Sequence, residues 1–266
     1  MEPMLTMALR AARKAAETLD KAIQHGTHLT IEEKGRNDFV TEVDKAVEKE
    51  IIYHLRKAYP DHSFRAEESG TITGDNGDYE WIIDPIDGTT NFIHGIPHYA
   101  ISIACLYKGQ LQHGVILDPI KREEFTASRG KGAMLNGRRI RVTPRTSLEG
   151  ALIGTGIPFN GYALQRIAPY LQSLEDITGK TAGIRRMGAA SLDLAYVAAG
   201  RLDGFWEMNL QPWDIAAGLL LVQEAGGFVS DFKGGNSMMD SGNVVCGPAK
   251  VFKPLLQIVG KHLKDI

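Results

Sequence analysis

Two carboxylates stand three residues apart where a short apolar segment ends. The run Trp81–Ile83 predicts a buried strand, and residues 84–90 follow it with the sequence Asp-Pro-Ile-Asp-Gly-Thr-Thr. Asp84, Asp87 and the main-chain carbonyl of Ile86 can converge on a hard cation, and Mg²⁺ prefers oxygen ligands of this kind. Both acids can instead simply shape a turn, as Asp often does.

The residues after the first acid favour a phosphate site beside the cation. Pro85 is expected to end the strand's hydrogen-bonded ladder, because its nitrogen carries no hydrogen. Gly88 lets the backbone come close to a ligand, and the N–H groups of Gly88 and Thr89 can face a phosphate at the start of a helix. The segment is therefore typical of a site that holds a cation and a phosphate together.

Three more acidic residues lie at predicted element boundaries. Glu67 precedes a second Glu, and such acidic pairs are usually solvated. Asp44 follows Thr41 with the spacing of a capping box, and Asp214 opens an apolar helix that it can cap. Each acid thus has a local explanation. A phosphate site with metals nevertheless needs several acids brought together, and all of these occupy boundaries.

Apolar periodicity predicts the elements that must position these acids. Helices are predicted at residues 5–23 (closed by Gly26), 43–55 (ending before Pro60), 162–177, 189–199, 214–225 and 250–263. Strands are predicted at residues 81–83, 100–107, 115–117, 139–142, 204–207 and 228–231, and the polar stretch 32–38 has loop composition. The strand at 100–107 is apolar on both faces and needs cover above and below the sheet. We therefore expect an α/β fold of layered helices and sheets in one domain, residues 1–266.

Composition excludes several other classes of protein. The 266 residues are 43% hydrophobic and 23% charged, which is ordinary globular composition. The formal net charge of −2 argues against binding to nucleic acid or to an anionic membrane. No P-loop, dinucleotide fingerprint or nucleophile elbow occurs. Cys105 and Cys246 are expected to be buried free thiols. Charges interrupt the first 25 residues, so no signal peptide is predicted, and a cytoplasmic protein is expected.

Four motifs in this order resemble those of the inositol monophosphatase family. They are residues 38–44, residues 67–69, residues 81–92 and residues 213–227. The resemblance runs from the first helix nearly to the last residue and is strongest to the bacterial branch, through residues 185–200. It implies a layered αβαβα sugar-phosphatase fold, a homodimer, and a lithium-sensitive enzyme that uses two or three Mg²⁺ ions to hydrolyse myo-inositol monophosphate.

The resemblance also implies a role for individual residues. The metal ligands are Glu67, Asp84, the Ile86 carbonyl, Asp87 and Asp214. The catalytic residues are Asp44 and Thr89, which orient the attacking water, together with Glu67. The substrate-binding residues are Asp87, the amides of Gly88 and Thr89, Ala190, Glu207 and, only approximately aligned, Lys34. In this scheme Asp44 accepts a proton from the water through Thr89, and no covalent intermediate forms.

Two alternatives stay open at this point. Fructose 1,6-bisphosphate, histidinol phosphate or a 3′-phosphonucleotide can use the same metal core, although a carboxylate at Glu207 suits polyol hydroxyls better than a second phosphate. Bacterial members similar to this chain also act as partners of the transcription machinery in making ribosomal RNA, with catalysis dispensable. The pair Arg185-Arg186 is a candidate for such a surface contact, or merely a solvated end.

Overall fold

The computed structural model describes residues 2–24, 31–35, 38–158 and 164–265, with the backbone alone at residues 24, 31–35 and 38–40. Its helices are α1 Pro3–Gln24, α2 Glu42–Ala58, α3 Thr89–Ile93, α4 Ile167–Thr178, α5 Ala190–Ala198, α6 Pro212–Glu224, α7 Met238–Ser241 and α8 Ala249–Leu263. Its strands are β1 Ile31–Gly35, β2 Asp38–Thr41, β3 His62–Ala66, β4 Gly70–Ile72, β5 Asn76–Asp87, β6 Ala100–Tyr107, β7 Gln110–Asp118, β8 Glu123–Ser128, β9 Gly132–Leu135, β10 Arg138–Arg139, β11 Leu152–Thr155, β12 Gly183–Arg185, β13 Gly204–Glu207, β14 Phe228–Ser230 and β15 Val244–Gly247.

Two large sheets form the frame of the fold. One has eight strands in the order β10-β9-β8-β7-β6-β5-β3-β4, antiparallel except where β3 runs parallel to β5. The other has five strands in the order β12-β11-β13-β15-β14 and mixes parallel and antiparallel pairs. Strands β1 and β2 form a separate antiparallel pair.

Helices cover the eight-stranded sheet on both faces. On β5, Trp81 and Ile83 pack against the apolar sides of α1 and α2, while Ile82 between them packs with α5 and α6. This is the period-two alternation of a strand buried on both sides. Helix α6 lies very close to β7, since a Cβ on Gly114 would stand 3.0 Å from the carbonyl oxygen of Ala217.

The five-stranded sheet is covered in the same way. On β13, Phe205 packs toward α5 and α6, and its neighbour Trp206 packs toward α4 and α8. The layers therefore succeed one another as α1/α2, the large sheet, α5/α6, the small sheet and α4/α8. The predicted αβαβα layered α/β fold is confirmed, whereas the assignment of residues 1–266 to a single domain stays a prediction.

Most predicted elements are present, with differences at their ends. Helix α2 ends at Ala58, before Pro60 as predicted, but α4 begins at Ile167 and α6 at Pro212. The loop predicted at residues 32–38 is wrong, because β1 and the start of β2, which pair antiparallel, occupy most of it. The strand predicted at 139–142 ends at Arg139. Gly26 lies outside the described residues.

Both cysteines are buried free thiols, as predicted, and they belong to different layers. Burial raises the pKa of Cys105 to about 12. Thiols that hold their protons so firmly are poor nucleophiles, so the cysteines serve as core residues. Across the part of the chain that the structure describes, no helix is long and apolar enough to cross a membrane.

Candidate active site

A one-residue bulge in β5 brings two of the predicted metal ligands to the same face of the sheet. Asp84 pairs with Ser102 and Asp87 pairs with Ala100, so three steps along β5 match two steps along β6. Residues three apart on a regular strand point to opposite faces. The extra residue reverses that alternation between the two acids, which is how a bulge re-aims a side chain.

The bulge also corrects the expectation that Pro85 ends the ladder. Strand β5 runs through Pro85 and ends only at Asp87. The reason is that the residues between Asp84 and Asp87 lie in the bulge, where a missing N–H costs no ladder hydrogen bond. The main-chain N–H of Ile86 instead donates to Asp84 Oδ1 at 2.9 Å, which fixes the carboxylate within its own turn.

Helix α6 supplies the third carboxylate of the cluster. The helix begins with Pro212, and Asp214 is its third residue rather than the N-cap that sequence allowed. The N–H of Gln211 donates to Asp214 Oδ2 at 2.7 Å, so this acid closes a capping box and faces the site as well. Oxygens of Asp84, Asp87 and Asp214 lie within 4.8 Å of one another.

Glu67 joins this cluster from the turn between β3 and β4. Its main-chain N–H donates to the carbonyl of Ile83 at 3.1 Å, which ties the turn to β5 just before Asp84. The Glu67 carboxyl group lies close enough to Asp84 that its charge raises the pKa of the Asp84 carboxyl group. All of the acids predicted as metal ligands are therefore assembled in one place.

Electrostatics in the cluster are unfavourable without a cation. Burial raises the pKa of Asp84 well above its ordinary range, and the charges of Glu67, Asp87 and Asp214 raise it further. Burial also raises the pKa of Asp87 to about 6, although hydrogen bonds from Ser191 oppose the change. Burial and the charge of Asp87 raise the pKa of Asp214. Crowded, buried carboxylate oxygens fit a hard divalent cation such as Mg²⁺.

The predicted proton-handling pair lies beside this cluster. The Thr89 hydroxyl, at the start of α3, is 3.2 Å from Asp44 Oδ1 and 2.9 Å from the carbonyl oxygen of Ile86. Asp44 also caps α2, because its Oδ2 accepts the N–H of Thr41 at 2.8 Å. Both interpretations of Asp44, as a cap and as a site residue, are thus compatible. Burial raises the pKa of Asp44, although bonds from Thr41 and Thr89 oppose the change.

The N-terminus of α5 holds the second carboxylate of the bulge. Oδ2 of Asp87 accepts the Ser191 N–H at 2.7 Å and the Ser191 hydroxyl at 2.5 Å. A carboxylate is favourable there because the helix dipole places partial positive charge at that end. Ala190, predicted to contact substrate, is the first residue of α5 and only 7% exposed. The role of Ser191 was missed, since only the fold brings it to Asp87.

Glu207 lies at the end of β13 and faces the same region. A Cβ on Gly156 would stand 1.7 Å from Glu207 Oε1, so glycine alone leaves room for this carboxylate. Burial raises the pKa of Glu207 to about 8, and the charge of Asp87 adds to this while Arg186 opposes it. Burial raises the pKa of Asp193 on α5 well above its ordinary value, and the charges of Glu207 and Asp87 raise it further. The side chain of Lys34 lies outside the described residues.

Gly88 meets two structural demands at the start of α3. Its φ of 96° lies in the left-handed region, and a Cβ there would stand 3.1 Å from the His98 carbonyl and 3.2 Å from that of Gly188. We expect Gly88→Ala to lower the free energy of unfolding by about 1–3 kcal/mol, the usual cost of such a conformation. Urea unfolding measures this change.

The matched control is Gly77→Ala near the start of β5, the strand that ends just before Gly88. Gly77 has no left-handed φ, and an added Cβ there would meet nothing within 4 Å. Equal unfolding midpoints for the Gly77 and Gly88 variants would contradict the role given to Gly88.

Comparison with known proteins agrees with this geometry. Residues 1–263 match the sequence profile of the inositol monophosphatase family. The chain is 57% identical over 265 residues to the Nus factor SuhB of Pseudomonas aeruginosa, covering 99% of this chain and 98% of that protein. The crystal structure of the extragenic suppressor protein SuhB from Bartonella henselae is 44% identical with a TM-score of 0.95, covering 98% and 100%.

A more distant solved structure carries ligands. It is an IMPase/NADP phosphatase complexed with Mg²⁺ and phosphate, 26% identical with a TM-score of 0.79, covering 91% of this chain and 90% of that one. The chain belongs to the inositol monophosphatase family. Its class is therefore that of a phosphatase, and its relatives include proteins named Nus factor SuhB.

Proposed function

We propose that this protein hydrolyses myo-inositol monophosphate to myo-inositol and phosphate in a Mg²⁺-dependent reaction. The observation that carries the proposal is the carboxylate cluster, in which oxygens of Asp84, Asp87 and Asp214 lie within 4.8 Å of one another. The match to the inositol monophosphatase family supports both the reaction class and the substrate. A similar phosphatase solved with Mg²⁺ and phosphate supports the metal.

The residues that would hold two or three Mg²⁺ ions are Glu67, Asp84, Asp87, Asp214 and the carbonyl of Ile86. When bound, Mg²⁺ neutralises phosphoryl oxygens and makes water more acidic. Since the Ile86 carbonyl oxygen lies 2.9 Å from Thr89 Oγ1, the metal cluster lies directly beside the proton-handling pair.

Proton transfer falls to Asp44 and Thr89. The Thr89 hydroxyl orients the attacking water, and Asp44, 3.2 Å from that hydroxyl, accepts the proton through it. A carboxylate with a raised pKa is a better base near neutral pH than an ordinary Asp. The amides of Gly88 and Thr89 donate to phosphoryl oxygens as the bond to the leaving alcohol breaks.

Recognition of the polyol falls to Glu207 and Ala190. Glu207, partly buried at the end of β13, offers a carboxyl group that can hydrogen-bond to polyol hydroxyls. Such a group suits neighbouring hydroxyls, whereas a second phosphate would leave it near an anion. We therefore favour an inositol monophosphate over fructose 1,6-bisphosphate, histidinol phosphate or a 3′-phosphonucleotide.

A substrate panel tests this choice. We expect kcat/KM for myo-inositol 1-phosphate to exceed that for each of the three sibling substrates by at least about tenfold, which corresponds to about 1.4 kcal/mol of differential transition-state binding. Phosphate release at saturating Mg²⁺ measures all four. A higher value for any sibling would move the substrate assignment to it while leaving the reaction class in place. Lithium inhibition and a homodimer are further parts of the proposal.

A second function is favoured by the relatives' name. The Pseudomonas aeruginosa protein, 57% identical, is called a Nus factor, which supports a role for this chain as a partner of the transcription machinery in ribosomal RNA synthesis. Arg185 and Arg186 are both exposed and form the candidate contact. The test is whether an Asp87→Asn protein, without phosphatase activity, still rescues a strain that lacks the gene. Rescue would separate the two functions, and failure would tie the phenotype to catalysis.

A further inference from the structure

A buried acid outside the proposed mechanism lies on α2. Glu48 is only 2% exposed, although it stands one turn beyond Asp44 on a helix whose other charged residues mostly face solvent. A buried carboxylate is costly unless donors converge on it. Its location therefore requires specific partners.

Those partners are the residues that follow Glu67. Glu48 Oε2 accepts the N–H of Glu68 at 2.8 Å, and Oε1 accepts the N–H of Ser69 at 2.9 Å. The Ser69 hydroxyl also donates to Oε1. Both carboxylate oxygens of Glu48 are thus directed at one three-residue turn, residues 67–69, which is 20 residues away along the chain.

That turn is held from two sides. Strands β3 and β4 are antiparallel, with Ala66 opposite Gly70, so residues 67–69 form the loop of a hairpin. On one side the Glu67 N–H donates to the Ile83 carbonyl at 3.1 Å on β5. On the other side the Glu48 carboxylate accepts hydrogen bonds from the N–H groups of Glu68 and Ser69. The backbone on both sides of the Glu67 side chain is therefore fixed relative to α2 and β5.

We infer that Glu48 is a positioning residue for the metal site, which sets the orientation of Glu67 by binding the amides of Glu68 and Ser69. This inference rests on the proposed function, since it requires Glu67 to be a Mg²⁺ ligand. Carboxylates that bind metals are commonly oriented by hydrogen bonds one step further out, and loss of such a partner typically costs about 10–100-fold in metal affinity or activity.

Glu48→Gln is the most direct variant. Gln keeps the size of the side chain but replaces one acceptor oxygen with an NH₂ group, which cannot accept from a main-chain N–H. One of the two amides, Glu68 or Ser69, then faces a donor and the turn loses its fixed position. Glu50→Gln is the matched control, because Glu50 lies on the same helix and its replacement removes the same charge. Among the described residues, Glu50 pairs locally with His54 at 2.9 Å.

The experiment is a calorimetric titration of Mg²⁺ without substrate into the full-length wild type, Glu48→Gln, Glu50→Gln and Glu67→Gln. We expect the Mg²⁺ dissociation constant to rise about tenfold in Glu48→Gln, by more in Glu67→Gln, and by less than about twofold in Glu50→Gln. With substrate, the KM for Mg²⁺ in Glu48→Gln should rise by a similar factor, while kcat at saturating Mg²⁺ stays within about threefold of wild type.

The outcomes separate the inference from the function on which it rests. A lower melting temperature in Glu48→Gln with unchanged Mg²⁺ affinity would mean that Glu48 is only structural, and would overturn the inference alone. Unchanged affinity in Glu67→Gln would overturn it too, because Glu67 would then not be a ligand. No binding by the wild type would overturn the proposed function as well. If Glu48→Gln does not fold, Ser69→Ala decides: affinity weakened about threefold supports the inference, and unchanged affinity refutes it.

Discussion

Replacing Asp87 with Asn is expected to lower kcat for phosphate release by about a thousandfold or more while the protein stays folded. Asp87 is one of three carboxylates whose oxygens lie within 4.8 Å of one another. An Asn at this position removes a charge that a bound cation requires. Loss of several kcal/mol of metal-dependent transition-state stabilisation corresponds to a rate loss of that size. Steady-state kinetics at saturating Mg²⁺ measures the effect.

Asp78→Asn is the matched control for this variant. Asp78 lies on the same strand, β5, but it is exposed and its closest cation is Lys108 at 3.5 Å. We expect wild-type kcat in that control and similar unfolding midpoints in both variants when EDTA is present. Activity of Asp87→Asn within tenfold of wild type would remove the metal cluster from the mechanism.

The stability of the metal-free protein is expected to fall as pH rises from about 4 to about 8. The pKa of Asp87 rises from 3.8 to about 6 in the folded state, and that of Glu207 from 4.5 to about 8. The folded state therefore binds these protons more tightly than the unfolded state does. The contribution to stability is present below the unfolded pKa values and is lost as pH rises through the folded ones.

Mg²⁺ should reverse this loss, and more strongly at pH 8 than at pH 5, because it binds the ionised carboxylates. At about 100 times its dissociation constant, a ligand adds about 2.7 kcal/mol, which raises the melting temperature by about 5–10 °C in a chain of this size. Differential scanning calorimetry at both pH values, with NaCl matched for ionic strength as the control, measures the gain. An equal gain at pH 5 and pH 8 would contradict the electrostatic description of the cluster.

Many individual helices and strands were predictable from apolar periodicity, whereas the αβαβα order of the layers was implied by the family resemblance. Strand β6 and helices α1 and α2 follow their patterns closely, since each buries a continuous apolar face. The antiparallel pair of β1 and β2 was missed, because its polar residues carry no apolar alternation. Secondary structure that depends on main-chain pairing rather than on burial leaves little trace in a single sequence.

The site was predicted at the level of residue types and missed at the level of geometry. The sequence around Asp84 and Asp87 indicated a cation site, but a regular strand would have separated the two carboxylates. The bulge that unites them depends on pairing with β6, which no local pattern reveals. Long-range supports were missed for the same reason. Ser191 lies 104 residues from Asp87, and Glu48 lies 20 residues from Glu68.

The most direct test of the central claim is phosphate release from myo-inositol 1-phosphate as Mg²⁺ is titrated, with and without lithium. The account predicts release that requires Mg²⁺, saturates with it and is inhibited by lithium. Release that continues unchanged in EDTA would contradict the role given to the carboxylate cluster of Asp84, Asp87 and Asp214. No release by the folded protein, from this substrate or its three siblings, would contradict the phosphatase assignment and leave the role in transcription as the function.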